Sequence, residues 1–380
     1  MREYVDCTPT LRSPSLSALT GADVFLKYEN QQRTGSFKVR GAYNKLRLLG
    51  AHERTRGVIA ASAGNHAQGI AYCAGRLSIA TTIVMPNSTP LTKVRGTEEL
   101  GATVVLSGET IADSLRTALT LAKSNGMTFV HPYDDADVIA GQGTIASEML
   151  ESFPDLEVLL VPVGGGGLVA GIALAAKHLA PGIDIVGVQS EARATRMTVA
   201  EGIGVAELGA LPRLIIAERG VNLVSVNEVQ IESAMAYALE CLHTVVEGAG
   251  AAPVAALLAH PDRFRGKRVG IVLSGGNVDT ALLTAVAAQA RLLAGNVVRA
   301  RVQINDVPGN LARVAAIIAA HKGNILEVTH QRVLRDLPAK CVALDITIDL
   351  RSPMLFESMT SALRLADFPT AQLAMEALRA

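Results

Sequence analysis

The sequence has no excess of charge of either sign. Thirty-five basic residues balance thirty-five acidic ones, and no run of like charge stands out. Composition therefore carries no electrostatic footprint for nucleic acid or an anionic membrane. Cysteine is scarce: Cys7, Cys73, Cys241 and Cys341 lie far apart and follow no ligand spacing. Neither a zinc site nor a disulfide framework is expected, and four thiols in a reducing compartment are. Glycine, proline and charges interrupt every long apolar run, so no membrane span is expected, and the start Met1-Arg2-Glu3-Tyr4 shows no signal pattern. These absences point to a cytoplasmic protein. What is abundant is apolar residue: 49% hydrophobic against 18% charged, over 380 residues. That suffices for a large buried core and two or three domains.

From about residue 56 to 190, short β-branched runs alternate with longer Ala/Leu-rich stretches. Gly57–Ala60, Thr82–Met85, Ala102–Leu106, Val158–Val161 and Ile183–Val186 read as buried strands, and Ile111–Ser124 and Leu168–Leu179 as helices. Continuous apolar strands separated by helices predict a parallel sheet covered on both faces. Ligands of such sheets bind beyond the carboxyl ends of the strands. Three strand-to-helix loops stand out there. Ser62-Ala63-Gly64-Asn65-His66 combines small residues with neutral hydrogen-bonding groups at a helix start, where free N–H groups receive anions. Gly164-Gly165-Gly166-Gly167 permits a nest of backbone N–H groups with a helix dipole behind it, which suits a phosphate. It is not a Walker loop, because no Gly-Lys-Ser/Thr follows. Ser274-Gly275-Gly276-Asn277 places a neutral hydroxyl at the end of the strand Arg268–Leu273.

Upstream of these loops lies Gly35-Ser36-Phe37-Lys38-Val39-Arg40-Gly41-Ala42, directly after the polar run Glu29-Asn30-Gln31-Gln32. A cation beside Lys38 would depress its pKa, and a lysine that loses its proton easily can hold a carbonyl as a Schiff base. By itself the octapeptide reads equally as a basic surface turn. Together, a Schiff-base lysine, a phosphate nest and neutral donors on strand-end loops would hold pyridoxal phosphate.

The texture changes after Arg291. Ala294-Gly295-Asn296 reads as a linker at about 293–297, followed by strand Val298–Ile304, the turn Asp306-Val307-Pro308-Gly309-Asn310 and helix Leu311–His321. A hairpin of Asn324–Leu334 and Lys340–Leu350 about Arg335-Asp336-Leu337-Pro338 then precedes a helix over Met354–Leu365. This is the βαββα of a small ferredoxin-like module. Ala371–Ala380, where a last strand belongs, reads as helical rather than extended.

Residues 5–290 resemble the fold-type-II pyridoxal phosphate enzymes of the threonine/serine dehydratase family. The matching segments are Lys27–Lys38, Ser62–Gln68, Ala140–Thr144, Pro162–Leu168, Glu247–Ala252 and Ser274–Asn277, in the family's order. The tail resembles an ACT regulatory domain, with Asp306-Val307-Pro308-Gly309 at its usual first turn. The combination is similar to medium-length threonine ammonia-lyases that carry one such domain. The resemblance implies an α/β fold of two open twisted sheets in a catalytic domain over 1–292, its smaller subdomain inserted at about 41–140. A βαββαβ ACT domain over 298–375 would follow. It implies that Lys38 anchors the cofactor and removes the α-proton, with Phe37 packing on the ring. Asn65 would bond the ring 3′-oxygen, Gly164–Gly167 the phosphate, and Ser274 the pyridine nitrogen. Ser62, Gly64, Asn65 and His66 would hold the substrate carboxylate. The implied reaction is loss of water from L-threonine, and from L-serine, giving 2-oxobutanoate or pyruvate and ammonia. A homodimer or homotetramer, with an amino-acid effector at the tail, completes the expectation.

The match departs from the family in two places. Only the six residues Ala192–Met197 separate Gly187–Glu191 from Thr198–Val205, where relatives carry a longer segment. Ala200-Glu201-Gly202 replaces the usual Ala-Asp-Gly, and some relatives bind a cation there, so Glu201 is the one metal candidate beside a plain surface carboxylate. The rival activities are serine racemase, β-replacement and 3-hydroxyaspartate ammonia-lyase. Racemases commonly carry a serine at the position of Ala63, and a methyl group cannot move a proton. A second substrate carboxylate would need a further cation, for which Arg95 and Arg116 are candidates. The non-enzyme alternative is a dead amino-acid sensor on the same scaffold.

Overall fold

The computed structural model describes residues 3–192, 198–332 and 340–373. By their contacts they fall into two units, Met1–Leu282 and Leu283–Ala380.

In the first unit the chain begins one sheet, leaves it to build a second, and returns. Strands β1 (Thr10–Arg12) and β2 (Asp23–Lys27) pair antiparallel. The second sheet comprises β3 (Val58–Ala61), β4 (Thr81–Met85), β5 (Thr103–Leu106) and β6 (Thr128–Phe129), in the order β5-β4-β3-β6 and all parallel. The chain then adds β7 (Val158–Pro162), β8 (Asp184–Ser190), β9 (Asn222–Val226) and β10 (Arg268–Val272) to the first sheet, ordered β1-β2-β10-β7-β8-β9. The strands that read as one sheet in the sequence thus belong to two. Apolar runs show that a strand is buried, and nothing in them says which sheet buries it. Every residue of β3 and β7 is buried, as expected for strands covered on both faces.

Short-range chemistry sets the helix ends. Thr110 and Asp113 form a reciprocal capping box on helix Ile111–Asn125, and Gly126, at φ 66°, ends it. Asp135 accepts from two N–H groups at the start of helix Ala136–Ser152. Helix Gly248–Ala259 is apolar all round and almost wholly buried. Its glycines let it approach other backbone: a Cβ on Gly250 would meet Gly275 O and Ser274 N.

Helix Lys38–Leu48 carries an enclosed ion cluster. Arg40, fully buried, meets Glu29 through Nε and Nη2, both at 2.7 Å, and Glu148 through Nη1 and Nη2 at 2.7 and 2.8 Å. Lys27 Nζ donates to Glu148 at 2.5 Å and to Thr8 O at 2.7 Å. Two cations face two carboxylates with most donors and acceptors satisfied, the condition under which buried charge is tolerated. The polar run before Lys38 is therefore structural. Glu29 holds Arg40, Asn30 Nδ2 donates to Thr244 Oγ1 at 2.7 Å, and Gln32 exchanges bonds with the Asp6 backbone.

The second unit is a four-stranded antiparallel sheet of β11 (Val297–Asn305), β12 (Asn324–Gln331), β13 (Cys341–Asp349) and β14 (Thr370–Gln372), ordered β12-β13-β11-β14. Helices Asn310–Ala320 and Leu355–Leu365 complete a βαββαβ ferredoxin-like arrangement. The last strand that the resemblance implied exists, and it takes in Ala371 and Gln372, which read locally as helical. It is three residues long and pairs with β11, too short to show an alternating pattern. Residues 374–380, the hairpin turn Arg335–Pro338 and residues 193–197 of the shortened segment lie outside the described residues. Gly309, at φ 96°, turns the chain into helix Asn310–Ala320, and Asn310 Nδ2 donates to Asn305 O at 3.0 Å.

Candidate active site

A cavity of about 690 Å³ opens beyond the carboxyl ends of β3, β6, β7 and β10. It brings together Phe37, Lys38, Ser62, Gly64, Asn65, His66, the loop Gly164–Gly167, Ser274 and, at its wall, Glu201, while Arg95 and Arg116 are not among its lining residues.

Lys38 is the first residue of helix Lys38–Leu48, and its Nζ donates to Pro132 O at 2.8 Å. Burial lowers its pKa to about 8, and the nearby carboxylate of Glu247 only partly opposes this. The cause differs from the expected one. Arg40 lies in the ion cluster with its charge matched by Glu29 and Glu148, so removal from water rather than a neighbouring cation makes Lys38 easy to deprotonate. The ring of Phe37 has its centroid 5.2 Å from Nζ.

Asn65 heads helix Asn65–Arg76. Its amide donates to both carboxylate oxygens of Glu247, at 2.8 and 3.0 Å, and its Oδ1 accepts from Asn277 at 2.7 Å. Glu247 opens the matching segment Glu247–Ala252, yet sequence reading assigned it no role. Desolvation pushes its carboxyl up to about 7, and the amide of Asn65 and the charge of Lys38 restrain the shift. Within that segment its own signal is an acid at the head of a Gly/Ala run. The imidazole of His66 is buried and bonds Val130 O at 3.0 Å, while burial lowers its pKa to about 3. It is therefore neutral, and what it offers the cavity is its backbone N–H in the first helical turn. Ser62 Oγ accepts from Gly64 N at 3.2 Å, shaping the loop around that helix start.

The glycine loop leaves no room for side chains. Gly166, at φ 93°, is the N-cap of helix Gly167–Leu179. A Cβ on Gly165 would clash with three ring atoms of Tyr133, and one on Gly167 would meet the Tyr133 backbone at 2.8 Å. Backbone N–H groups and a helix N-terminus, bare of side chains, form a cradle that a phosphate fits. Ser274, buried, presents a neutral hydroxyl on the same cavity. An amine, a phosphate cradle and neutral polar groups around one apolar-walled space fit pyridoxal phosphate.

A family described as pyridoxal-phosphate dependent enzymes matches residues 1–275. The chain belongs to this family. Pyridoxal phosphate is accordingly its cofactor. Among curated relatives, an L-threonine ammonia-lyase of Thermotoga maritima is 41% identical over 364 residues, 92% of this chain and 90% of its own length. An L-threo-3-hydroxyaspartate ammonia-lyase of a Pseudomonas species is 42% identical over 291 residues, covering 73% of this chain and 91% of the relative. Among solved structures, the processed form of threonine deaminase isoform 2 from Solanum lycopersicum matches with a TM-score of 0.73 and 34% identity. It covers 76% of this chain and 85% of that one.

Glu201 lies at the cavity wall opposite Lys93, whose Nζ is 3.4 Å from its carboxylate. No group of three or more His, Cys, Asp or Glu able to hold a metal occurs among the described residues. Nor is any described helix long and apolar enough to cross a membrane.

Proposed function

We propose that this pyridoxal-phosphate-dependent enzyme is a cytoplasmic threonine ammonia-lyase, acting also on L-serine. The observation that carries this reading is Lys38, a half-buried amine whose pKa is lowered to about 8 and which shares a cavity with the glycine cradle. The Thermotoga threonine ammonia-lyase, matched along nearly the whole chain, supports the choice of substrate.

When bound, the cofactor supplies the electron sink that stabilises a carbanion at the substrate α-carbon. Gly164–Gly167 would hold its phosphate through backbone N–H groups, with Phe37 beside its ring and Asn65 as partner of the ring oxygen. Ser274 would meet the ring nitrogen with a hydroxyl, which could not keep that nitrogen protonated as a carboxylate would. The weaker sink serves a reaction in which a β-leaving group departs at once. Ser62 and the N–H groups of Gly64, Asn65 and His66 receive the substrate carboxylate. Lys38 Nζ, neutral above about pH 8, takes the α-proton. Hydroxide leaves the β-carbon as water, and hydrolysis of the released enamine, through its imine, consumes one water. The net change is L-threonine to 2-oxobutanoate and ammonia.

The second reading, 3-hydroxyaspartate ammonia-lyase, is favoured by the Pseudomonas relative, 42% identical against 41% for the Thermotoga enzyme. Against it, Lys93, the other lysine on the cavity wall among the described residues, is already paired with Glu201. Arg116 is a mostly exposed residue paired with Asp113. Ala63 brings only a methyl to the cavity, which argues against racemisation. The second unit is an ACT domain that binds an amino-acid effector near Asp306–Asn310, and the enzyme works as a homodimer or homotetramer. The test is 2-oxo acid release from L-threonine, L-serine and 3-hydroxyaspartate by the purified holoenzyme. The highest kcat/KM is expected for threonine, and preference for hydroxyaspartate would reverse the assignment.

A further inference from the structure

The loop His131-Pro132-Tyr133-Asp134 follows β6 and leads into helix Ala136–Ser152. It touches the site at three points. Pro132 O accepts from Lys38 Nζ at 2.8 Å. Tyr133 lies against Gly165 and Gly167 so closely that neither tolerates a Cβ. Asp134 caps helix Ala210–Glu218, accepting from Ala210 N and Leu211 N, both at 2.9 Å, and Gly209 N just before them donates to Gly165 O at 3.0 Å. One loop thus abuts the cofactor lysine and braces the glycine cradle from two sides.

One side chain of the loop also folds back on it. His131 Nδ1 accepts from the backbone N–H of Asp134 at 2.8 Å and of Tyr133 at 3.3 Å. An Nδ1 that accepts carries no proton, so the ring is the Nε2–H tautomer. The ring stands edge-on to Tyr133, centroids 4.6 Å apart, and borders the cavity. Burial holds its pKa below the ordinary histidine value. The charges that reach it are Asp134 and Asp135, which favour protonation, and Lys38, which opposes it. At neutral pH the acceptor is therefore intact.

We propose that His131 is a positioning residue for the proposed reaction: by gathering two backbone N–H groups at Nδ1 it holds the loop that sets Lys38 and braces the glycine cradle. It acts through the backbone and touches neither substrate nor cofactor. This deepens the function proposed above and rests on it. The rival role for the same side chain is direct donation from Nε2–H into the cavity.

Two substitutions separate these roles. In His131→Asn, Oδ1 takes the place of Nδ1 and the Nε2 donor is lost. In His131→Gln, the amide reaches the Nε2 position and the Nδ1 acceptor is lost. The full-length parent, both variants and His131→Ala are compared by binding of pyridoxal phosphate and by titration of the Lys38 amine in cofactor-free protein. Loss of two backbone hydrogen bonds is expected to weaken cofactor binding about tenfold in the Gln and Ala variants, and the Asn variant to stay within about threefold of the parent. The Lys38 midpoint should rise toward its ordinary value in Gln and Ala alone, as the loosened loop admits water. A Gln variant equal to the parent, or an Asn variant no better than Ala, overturns the proposal. If Ala does not fold, the Asn and Gln pair decides. Should the parent bind no pyridoxal phosphate, the proposed function fails, while the Lys38 titration still decides the role of His131.

Discussion

Lys38 differs from an exposed lysine because its half-buried place at the cavity wall costs its ammonium part of its hydration. In cofactor-free protein its amine should react with an acylating reagent along a curve that rises with pH and has its midpoint near 8, against an ordinary value of 10.5. The sign follows from the charge: burial penalises the protonated form, so the reactive free amine appears at lower pH. Peptide-resolved labelling checks this, and a midpoint near 10.5 would mean that the site is wet. The lysine was legible in the sequence through the segment around it, yet the reason for its reactivity was not. Adjacency suggested Arg40, whereas the helix sends Arg40 into the cluster with Glu29 and Glu148, and Lys38 to the cavity. Glu247 stayed hidden for a related reason. It meets Asn65 across 182 positions of sequence, and only the completed fold shows the pair.

At the scale of elements, the glycine loop between β7 and helix Gly167–Leu179 was the most legible part of the site. A buried strand, four glycines and a helix follow one another without interruption. What the sequence does not carry is the partner that makes the glycines necessary, Tyr133, which belongs to the loop after β6. Gly165→Asp would set a Cβ against that ring and a carboxylate toward the cofactor phosphate. It should weaken pyridoxal phosphate binding by on the order of 3 kcal/mol, the magnitude of lost charged hydrogen bonds. Cofactor retention through dialysis reads the change, and retention equal to the parent would reduce the loop to a turn. The division of the strands between two sheets was not legible in their apolar runs. Buried parallel strands look alike whichever sheet receives them, and here the resemblance to a known fold supplied what periodicity could not. Strand β14, which read locally as helical, pairs only three residues with β11, and tertiary pairing rather than local propensity makes it a strand.

At the scale of the whole molecule, the chain joins a catalytic unit to a ferredoxin-like one whose role is proposed as regulatory. An effector can alter catalysis only by favouring one state of the enzyme over another. Threonine turnover by the full-length chain should therefore change when valine or isoleucine is added, and a chain ending at Leu293 should turn over threonine without that response. Identical kinetics with and without either amino acid would leave the second unit a purely structural role. The central claim concerns one bond. Holoenzyme reduced with borohydride and digested should carry the pyridoxyl group on the peptide containing Lys38. Lys38→Ala should carry none at that position and release no 2-oxo acid from L-threonine. A pyridoxyl group mapped to a different lysine in the parent, or threonine turnover that survives in Lys38→Ala, would contradict the account.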